Sequence, residues 1–387
     1  MIYSTSIGLD VHARSICASA LIHETGEMVR ATFDYDADAV AKWAKSLPQP
    51  ARAIYESGPT GFELKRSLDR LGLPTTVGAV TKMLRPSGDR VKTDRRDADF
   101  LARMLAVGNV VECWCPTTSQ EADRDLSRLR EHVREDLMRA RHQLSKFLLR
   151  KGHVWQGKTT WTKAHLAWMD KIEFAEAEER FVYGEPGAAV TMLDDRKRRI
   201  DAEIARRAAS DELAPVVASL SGIRGVSVLT AFSVAVECGD LTRFRSARAF
   251  MSFVGLVPSE HSSGESTSRG AITKTGNAHV RRLFIEAGWH HERPLPAVSR
   301  AQARASDSPA SSLEAMCCNC NRRLHKRFLD LRAKRKHGCV IAAAVARELA
   351  GFVWAIGSEA QRLAEQGAFD AYLSESPKMP ATMGSPS

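Results

Sequence analysis

The chain has 387 residues and a mass of 42.6 kDa, too long for one ordinary domain, and its 44% hydrophobic and 26% charged residues describe a globular protein able to bury a sizeable core. Its start, MIYSTSIGLDVH, lacks the basic and apolar regions of a signal peptide, and the longest apolar run near an end, 340–346, is too short for a membrane span, so neither secretion nor membrane residence is expected. Eight irregularly spaced cysteines describe no disulfide framework, which predicts a reducing cytoplasm, and a net charge of +10 predicts attraction to polyanions.

Residues 7–11 form a short apolar run that ends in a carboxylate, 16–22 a second run of small and β-branched residues, and 28–35 a third beyond the turn signal Glu24-Thr25-Gly26-Glu27. A helix is expected from Asp36, as its cap, to about Leu47, where Pro48 and Pro50 end it. A fourth strand over 52–55 stops at Glu56-Ser57-Gly58-Pro59, a helix covers 61–71, and a fifth strand covers 75–80. Three consecutive strands before the first helix predict an α/β fold of RNase-H-like order rather than an ordinary doubly wound domain.

Between 119 and 213 the period changes. Leu126, Leu129, Val133, Leu137, Leu144 and Leu148 recur at three, four and seven, and Val190, Leu193, Ile200 and Ile204 repeat the pattern beyond a stretch holding Trp155, Trp161 and Trp168. This predicts a helical, coiled-coil hairpin, or else a plain helical connector packed on the core. Pro215 opens a mostly helical unit in which Gly222-Ile223-Arg224-Gly225 resembles the turn of a helix-hairpin-helix element, whose amides can meet a phosphate. A tight turn between packed helices explains the same glycines. Residues 306–312 read as a linker, 324–336 as a basic helix, 340–356 as an apolar helix, and the last dozen as disordered. The expected domains are 1–112, 113–213, 214–300 and 301–387.

Asp10 and Glu56 close the first and fourth strands, and Asp94 and Asp97 share one face at the start of a helix. Each alone reads as a cap or dipole partner. Four converging carboxylates repel one another unless divalent cations lie among them, and such oxygens suit Mg²⁺, with Mn²⁺ possible. Ser262-Ser263-Gly264, followed by Gly270, Lys274, Arg281 and Arg282, reads as a mobile polar loop able to reach a phosphate. The charge excess lies with it: residues 214–300 carry 10 basic against 6 acidic residues, whereas residues 1–112 carry 15 against 14. Cys317, Cys318, Cys320 and Cys339 lack paired CxxC arms and read as incidental thiols rather than a zinc site.

Gly8-Leu9-Asp10-Val11-His12, Tyr55-Glu56-Ser57-Gly58 and Lys92-Thr93-Asp94-Arg95-Arg96-Asp97-Ala98 together resemble the DEDD motifs of the insertion sequence 110 family of transposases. Gly222-Ile223-Arg224-Gly225, Ser262-Ser263-Gly264, Thr273-Lys274-Thr275-Gly276-Asn277 and Arg281-Arg282 are similar to that family's C-terminal domain. The resemblance implies a RuvC-like nuclease domain binding Mg²⁺ through Asp10, Glu56, Asp94 and Asp97, and a C-terminal serine that forms a phosphoserine with DNA. Motif position places the nucleophile at Ser263, with Ser262 as the near alternative. It further implies donor and target DNA as substrates, an element-encoded guide RNA, and a homo-oligomer (dimer or tetramer). Nucleic-acid contacts are expected from Arg95, Arg96, Gly222, Arg224, Gly225, Lys274, Arg281 and Arg282. The rival reading is a metal-dependent nuclease or Holliday-junction resolvase that uses water. Glu265-Ser266-Thr267-Ser268 departs from the family's pattern, which continues with glycine.

Overall fold

The computed structural model describes residues 3–79, 93–263, 266–293 and 309–369, with the side chains of 261–269 and 309–311 outside that description. The chain divides into two compact units, Met1–Thr117 and Thr118–Ser387.

The first unit is a five-stranded mixed sheet with helices. Strands β1 (Thr5–Val11), β2 (Ser15–Ile22) and β3 (Met28–Asp34) pair antiparallel, while β4 (Ala51–Glu56) and β5 (Thr75–Gly78) add parallel to β1, giving the order β3-β2-β1-β4-β5. Helix α1 (Ala37–Lys45) is capped by Asp36, whose carboxylate accepts from Asp38 N and Ala39 N. With α2 (Glu63–Arg70) it lies over a core of Ile7, Leu9, Ile16, Tyr55 and Leu68. Helix α3 (Asp94–Ala106) sets Leu101 and Leu105 against Ile54 of β4. Expectations at Val80 and Lys92 fall outside the described residues.

The second unit is mostly helical. Helices α4 (Thr118–Arg150) and α6 (Ala177–Ala208) pack together along the apolar repeat, with Val133, Leu137, Leu144 and Leu148 buried with Val190, Leu193, Ile200 and Ile204. Leu129, 38% exposed, is outside that seam. Each leucine so buried contributes about 1.5–3 kcal/mol before ordering costs. The short α5 (Lys163–Met169) lies between them in the chain, and α7 (Ala214–Ser221), α8 (Val228–Cys238), α9 (Ala247–Phe253) and α10 (Ala278–Trp289) follow.

Two expectations differ here. The polar stretch read as a loop carries a two-stranded hairpin, β6 (Pro258–Ser263) with β7 (Ser266–Ile272), in which Ser263 pairs with Ser266. Ladder hydrogen bonds, not an apolar face, define these strands, so composition hides them. The supposed linker is partly helix: α11 (Pro309–Ala333) starts at a proline, which a first helical turn tolerates, and buries Leu313. Helix α12 (Gly338–Glu365), which contains an 18-residue window of mean hydropathy 1.8, is long and apolar enough by length and composition to cross a membrane. Within the unit, however, its Val345, Leu349, Val353 and Ile356 are wholly buried, which makes it a core helix.

Candidate active-site residues in the two units

The acidic site follows from strand periodicity. Leu9 of β1 pairs with Tyr55 of β4, so the next residues, Asp10 and Glu56, stand side by side at the C-terminal ends of neighbouring parallel strands. Residues two apart share a face, and Gly8, Asp10 and His12 therefore look the same way. That face carries α3: a methyl at Gly8 would overlap the Ala98 carbonyl oxygen and stand 2.5 Å from Ala102 N. Close docking of α3 on bare glycine brings its first turn, with Asp94 and Asp97, to the strand end.

His12 Nε2 bridges two carboxylates, at 3.3 Å from Asp10 Oδ2 and 3.5 Å from Asp94 Oδ2. The donor atoms of Asp10, His12 and Asp94 lie within 4.8 Å of one another, the one such cluster among the described residues. Burial raises the Asp10 pKa, His12 opposes the rise, and the Asp94 and Asp97 charges add to it. A carboxyl reluctant to ionise beside two others fits a divalent cation held by hard oxygens. Glu56 ends β4 exposed, on the face that Ile54 turns to α3.

One turn further along α3, Asp99 accepts from Ser19 Oγ at 2.5 Å and from Arg30 Nε and Nη2 at 3.0 and 2.9 Å. Burial works to raise its pKa, but the Arg30 and Ser19 hydrogen bonds prevail and hold it below the usual carboxylate range. This pair ties α3 to β2 and β3. Arg95 and Arg96 are exposed in the same first turn. His12 was not singled out from the sequence as a site residue; the period-two relation to Asp10 was the available signal.

In the second unit, the Gly222–Gly225 turn joins α7 to α8. Gly225 has φ 80°, and a methyl there would stand 2.8 Å from the Ala287 carbonyl oxygen, so the turn requires glycine. Asn321 of α11 clamps it, accepting from Arg224 N at 2.8 Å and donating to the Gly222 carbonyl at 3.1 Å. A cavity of about 700 Å³ opens beside the turn, lined by Arg224, Ser227, Thr230, His290 and Asn321 among others. Arg224 Nη1 is buried with no hydrogen-bond partner.

The other predicted cations are placed differently. Lys274 is exposed at φ 55°. Arg281 Nη1 donates to the Val254 and Thr275 carbonyls at 3.1 and 2.9 Å. Arg282 pairs with Glu131 at 2.7 Å and Glu286 at 2.6 Å. Ser263 ends β6; its side chain, like Gly264, lies outside the described residues. Cys317 and Cys320 are buried thiols, the first pushed up to about 12 by burial, and Cys317 donates to the Ser219 carbonyl at 3.3 Å.

The profile of the family described as Transposase IS116/IS110/IS902 matches residues 217–301, the stretch that holds the glycine turn, the hairpin and α10. A putative transposase, y4qE, of Sinorhizobium fredii is 38% identical over 308 residues, 80% of this chain and 75% of that protein. The transposase for insertion sequence element IS1533 of Leptospira borgpetersenii is 30% identical over 338 residues, 85% of this chain and 97% of its own length. A probable family 20 transposase of Pseudomonas aeruginosa is 28% identical over 324 residues, 82% of this chain and 86% of its own. Similarity at this level across most of both chains, joined to the profile match over the hairpin and glycine turn, places the chain in the IS116/IS110/IS902 family of transposases.

Proposed function

We propose that the chain cleaves and exchanges DNA strands through a phosphoserine intermediate, with Ser263 as nucleophile and Asp10, Glu56, Asp94 and Asp97 as holders of Mg²⁺. The carrying observation is the convergence of Asp10, His12 and Asp94 at the C-terminal edge of a sheet in a chain of this family. The order β3-β2-β1-β4-β5, antiparallel on one side of β1 and parallel on the other, supports an RNase-H-like, RuvC-like reading of the first unit.

In the proposed reaction the Ser263 hydroxyl oxygen bonds to phosphorus and the phosphorus–oxygen ester bond to one sugar breaks. The serine proton passes to a base, and the departing sugar oxygen takes up a proton. Reversal with a second strand's hydroxyl completes exchange. A bound divalent cation supplies charge neutralisation and activation of an oxygen at phosphorus. Asp10 and Asp94 would hold it, with His12 between them fixing their orientation, and Glu56 and Asp97 would add oxygens from the neighbouring strand and the next helical turn. Donor and target DNA, an element-encoded guide RNA and a homo-oligomer are the partners this reading carries from the family. The basic excess after residue 214 supports a polyanion partner without distinguishing RNA from DNA.

The test is a reaction of the full chain with the element's junction DNA, its flanking non-coding RNA and Mg²⁺, resolved on a denaturing protein gel. A DNA-linked band lost in Ser263→Ala and Asp10→Ala, but kept in Ser262→Ala, is expected. Cleaved DNA without any linked protein, indifferent to both serines, would mean a nuclease that uses water.

Arg224 makes a second, quantitative prediction. Arg224 lines the open cavity beside the glycine turn, where a guanidinium suits a backbone phosphate, so Arg224→Gln should weaken binding evenly across DNA sequences. The slope of log affinity against log salt should fall by about 1. An unchanged slope in a salt titration of a fluorescent duplex would place the phosphate contacts elsewhere.

A further inference from the structure

The β6–β7 hairpin joins the core of the second unit at a locked root. One leg runs from α9 through Val254 and Gly255 into β6, and the other returns from β7 through Thr273, Lys274 and Thr275 into α10. Thr273 N donates to the Val257 carbonyl at 2.9 Å and Lys274 N to the Gly255 carbonyl at 3.2 Å, so the legs remain paired where the sheet ends. Gly255 and Gly276 have φ 70° and 75°, and a methyl on either would overlap a backbone carbonyl of the opposite leg, Thr275 and Phe253 respectively. Only glycine lets the legs approach this closely.

Side chains complete the lock. The Nη1 of Arg281 donates to one carbonyl on each leg, Val254 and Thr275, and thereby staples them. Asn277 caps α10 through Oδ1, which accepts from Val280 N at 3.0 Å, and its Nδ2 donates to Glu237 Oε2 at 2.8 Å. The Glu237 carboxylate, 2% exposed on α8, also accepts from Arg128 Nε and Nη2 of α4 at 2.8 and 3.1 Å. The hairpin root is therefore tied through one buried carboxylate to two core helices.

We propose that Arg281, Asn277 and Glu237 are positioning residues that hold the hairpin root, so that the strand end bearing Ser263 is presented in one place. The proposal rests on the reading of Ser263 as nucleophile. A nucleophile that must meet phosphorus in line tolerates little displacement, and misplacement by about 1 Å can cost on the order of 100-fold in rate. Arg281 serves the reaction through the backbone, not as a phosphate ligand.

Three readouts on the full chain test this. Arg281→Gln removes the staple, and Asn277→Ser keeps a good helix cap while removing the amide that reaches Glu237. Both variants should lose roughly 100-fold in DNA-linked protein. Affinity for a non-specific duplex and its salt slope should stay at wild-type values. Amide exchange should quicken over residues 258–272 while α4 and α8 keep their protection. Arg281→Lys, able to donate to both carbonyls, should recover much of the adduct. A salt slope lowered by about 1 in Arg281→Gln, with hairpin exchange unchanged, would make Arg281 a phosphate contact and overturn the proposal. Quickened hairpin exchange with undiminished adduct would overturn it equally, because the lock would then not matter to chemistry. A wild type that cleaves without any adduct defeats the Ser263 assignment instead, and hairpin exchange in the variants still shows whether the lock exists.

Discussion

Gly8→Ala is expected to reduce strand cleavage by roughly 100-fold, although the change is one methyl group on a glycine covered by α3. The methyl has nowhere to go. It would overlap the Ala98 carbonyl oxygen and stand 2.5 Å from Ala102 N and 2.9 Å from Leu101 Cβ, the first two being backbone atoms that no rotamer change can move. Gly8 is fixed on both sides by its β-partners, Ser19 on β2 and Ile54 on β4, so α3 must yield. Overpacking of this kind costs about 1–3 kcal/mol, a loss most folded domains survive. On the proposed reading of these acids as metal holders the catalytic cost is larger, because the first turn of α3 carries Asp94 and Asp97, and His12 stands 3.3 Å from Asp10 and 3.5 Å from Asp94. Gly58→Ala is the control: its methyl would meet nothing closer than 3.9 Å. Cleavage rates and thermal melting of the two variants decide the matter. Gly8→Ala with near wild-type cleavage would mean that the acids need no fixed helix, and with it the account of how α3 is placed would fall.

The contrast between Gly8 and Asp10 shows what the sequence could and could not disclose. The places of Asp10, Glu56, Asp94 and Asp97 in the fold were legible because each sits at a local landmark, a strand end or a helix start, and the strand order that sets Asp10 beside Glu56 follows from hydrophobic runs and turn signals. Gly8 gave no such signal, since a bare Cα acquires meaning only when the backbone that rests on it is known. His12 lay within the quoted motif, yet its role depends on the strand period continuing past the last residue of β1. The β6–β7 hairpin was hidden because serine, threonine and glycine give no apolar alternation; the Gly264-Glu265 pair, with glycine first, was the turn signal available. Arg281 and Arg282 illustrate a deeper limit. A guanidinium that grips a phosphate and one that staples two carbonyls are the same letters, and burial and partners alone separate them. Asn321 is further still from local reading, for its partners Gly222 and Arg224 lie nearly a hundred residues earlier in the chain.

The second large effect concerns acid stability and rests on His291. Its ring is fully buried after α10, and neither ring nitrogen has a hydrogen-bond partner of normal geometry. Burial lowers its pKa to about 4, and the nearby Arg224, His290 and His325 push the same way; a backbone contact with Arg224 opposes them only in part. In the unfolded chain the same imidazole titrates near 6.5. Above that pH the ring is neutral in both states and costs nothing. As the pH falls from about 6.5 to about 4 the unfolded state binds a proton that the folded state refuses, so stability falls with pH; below about 4 both states are protonated and this contribution stops changing. Integrated over that window the loss is about 3 kcal/mol, a large share of an ordinary domain's stability. His291→Leu removes the titrating group, and urea unfolding of the two proteins at intervals from pH 7 to 4 should show a steep decline in the wild type and a shallower one in the variant, whatever the variant's stability at pH 7. Asp99 and Glu237, whose ion pairs hold their pKa values low, lose their contributions in acid below the ordinary carboxylate range and therefore act mainly beneath this window. Parallel declines in the two proteins would mean that water reaches His291 and that it titrates as an exposed residue does. A shallower decline in His291→Leu would instead identify one buried ring, packed beside the glycine turn, as a source of the second unit's instability in acid.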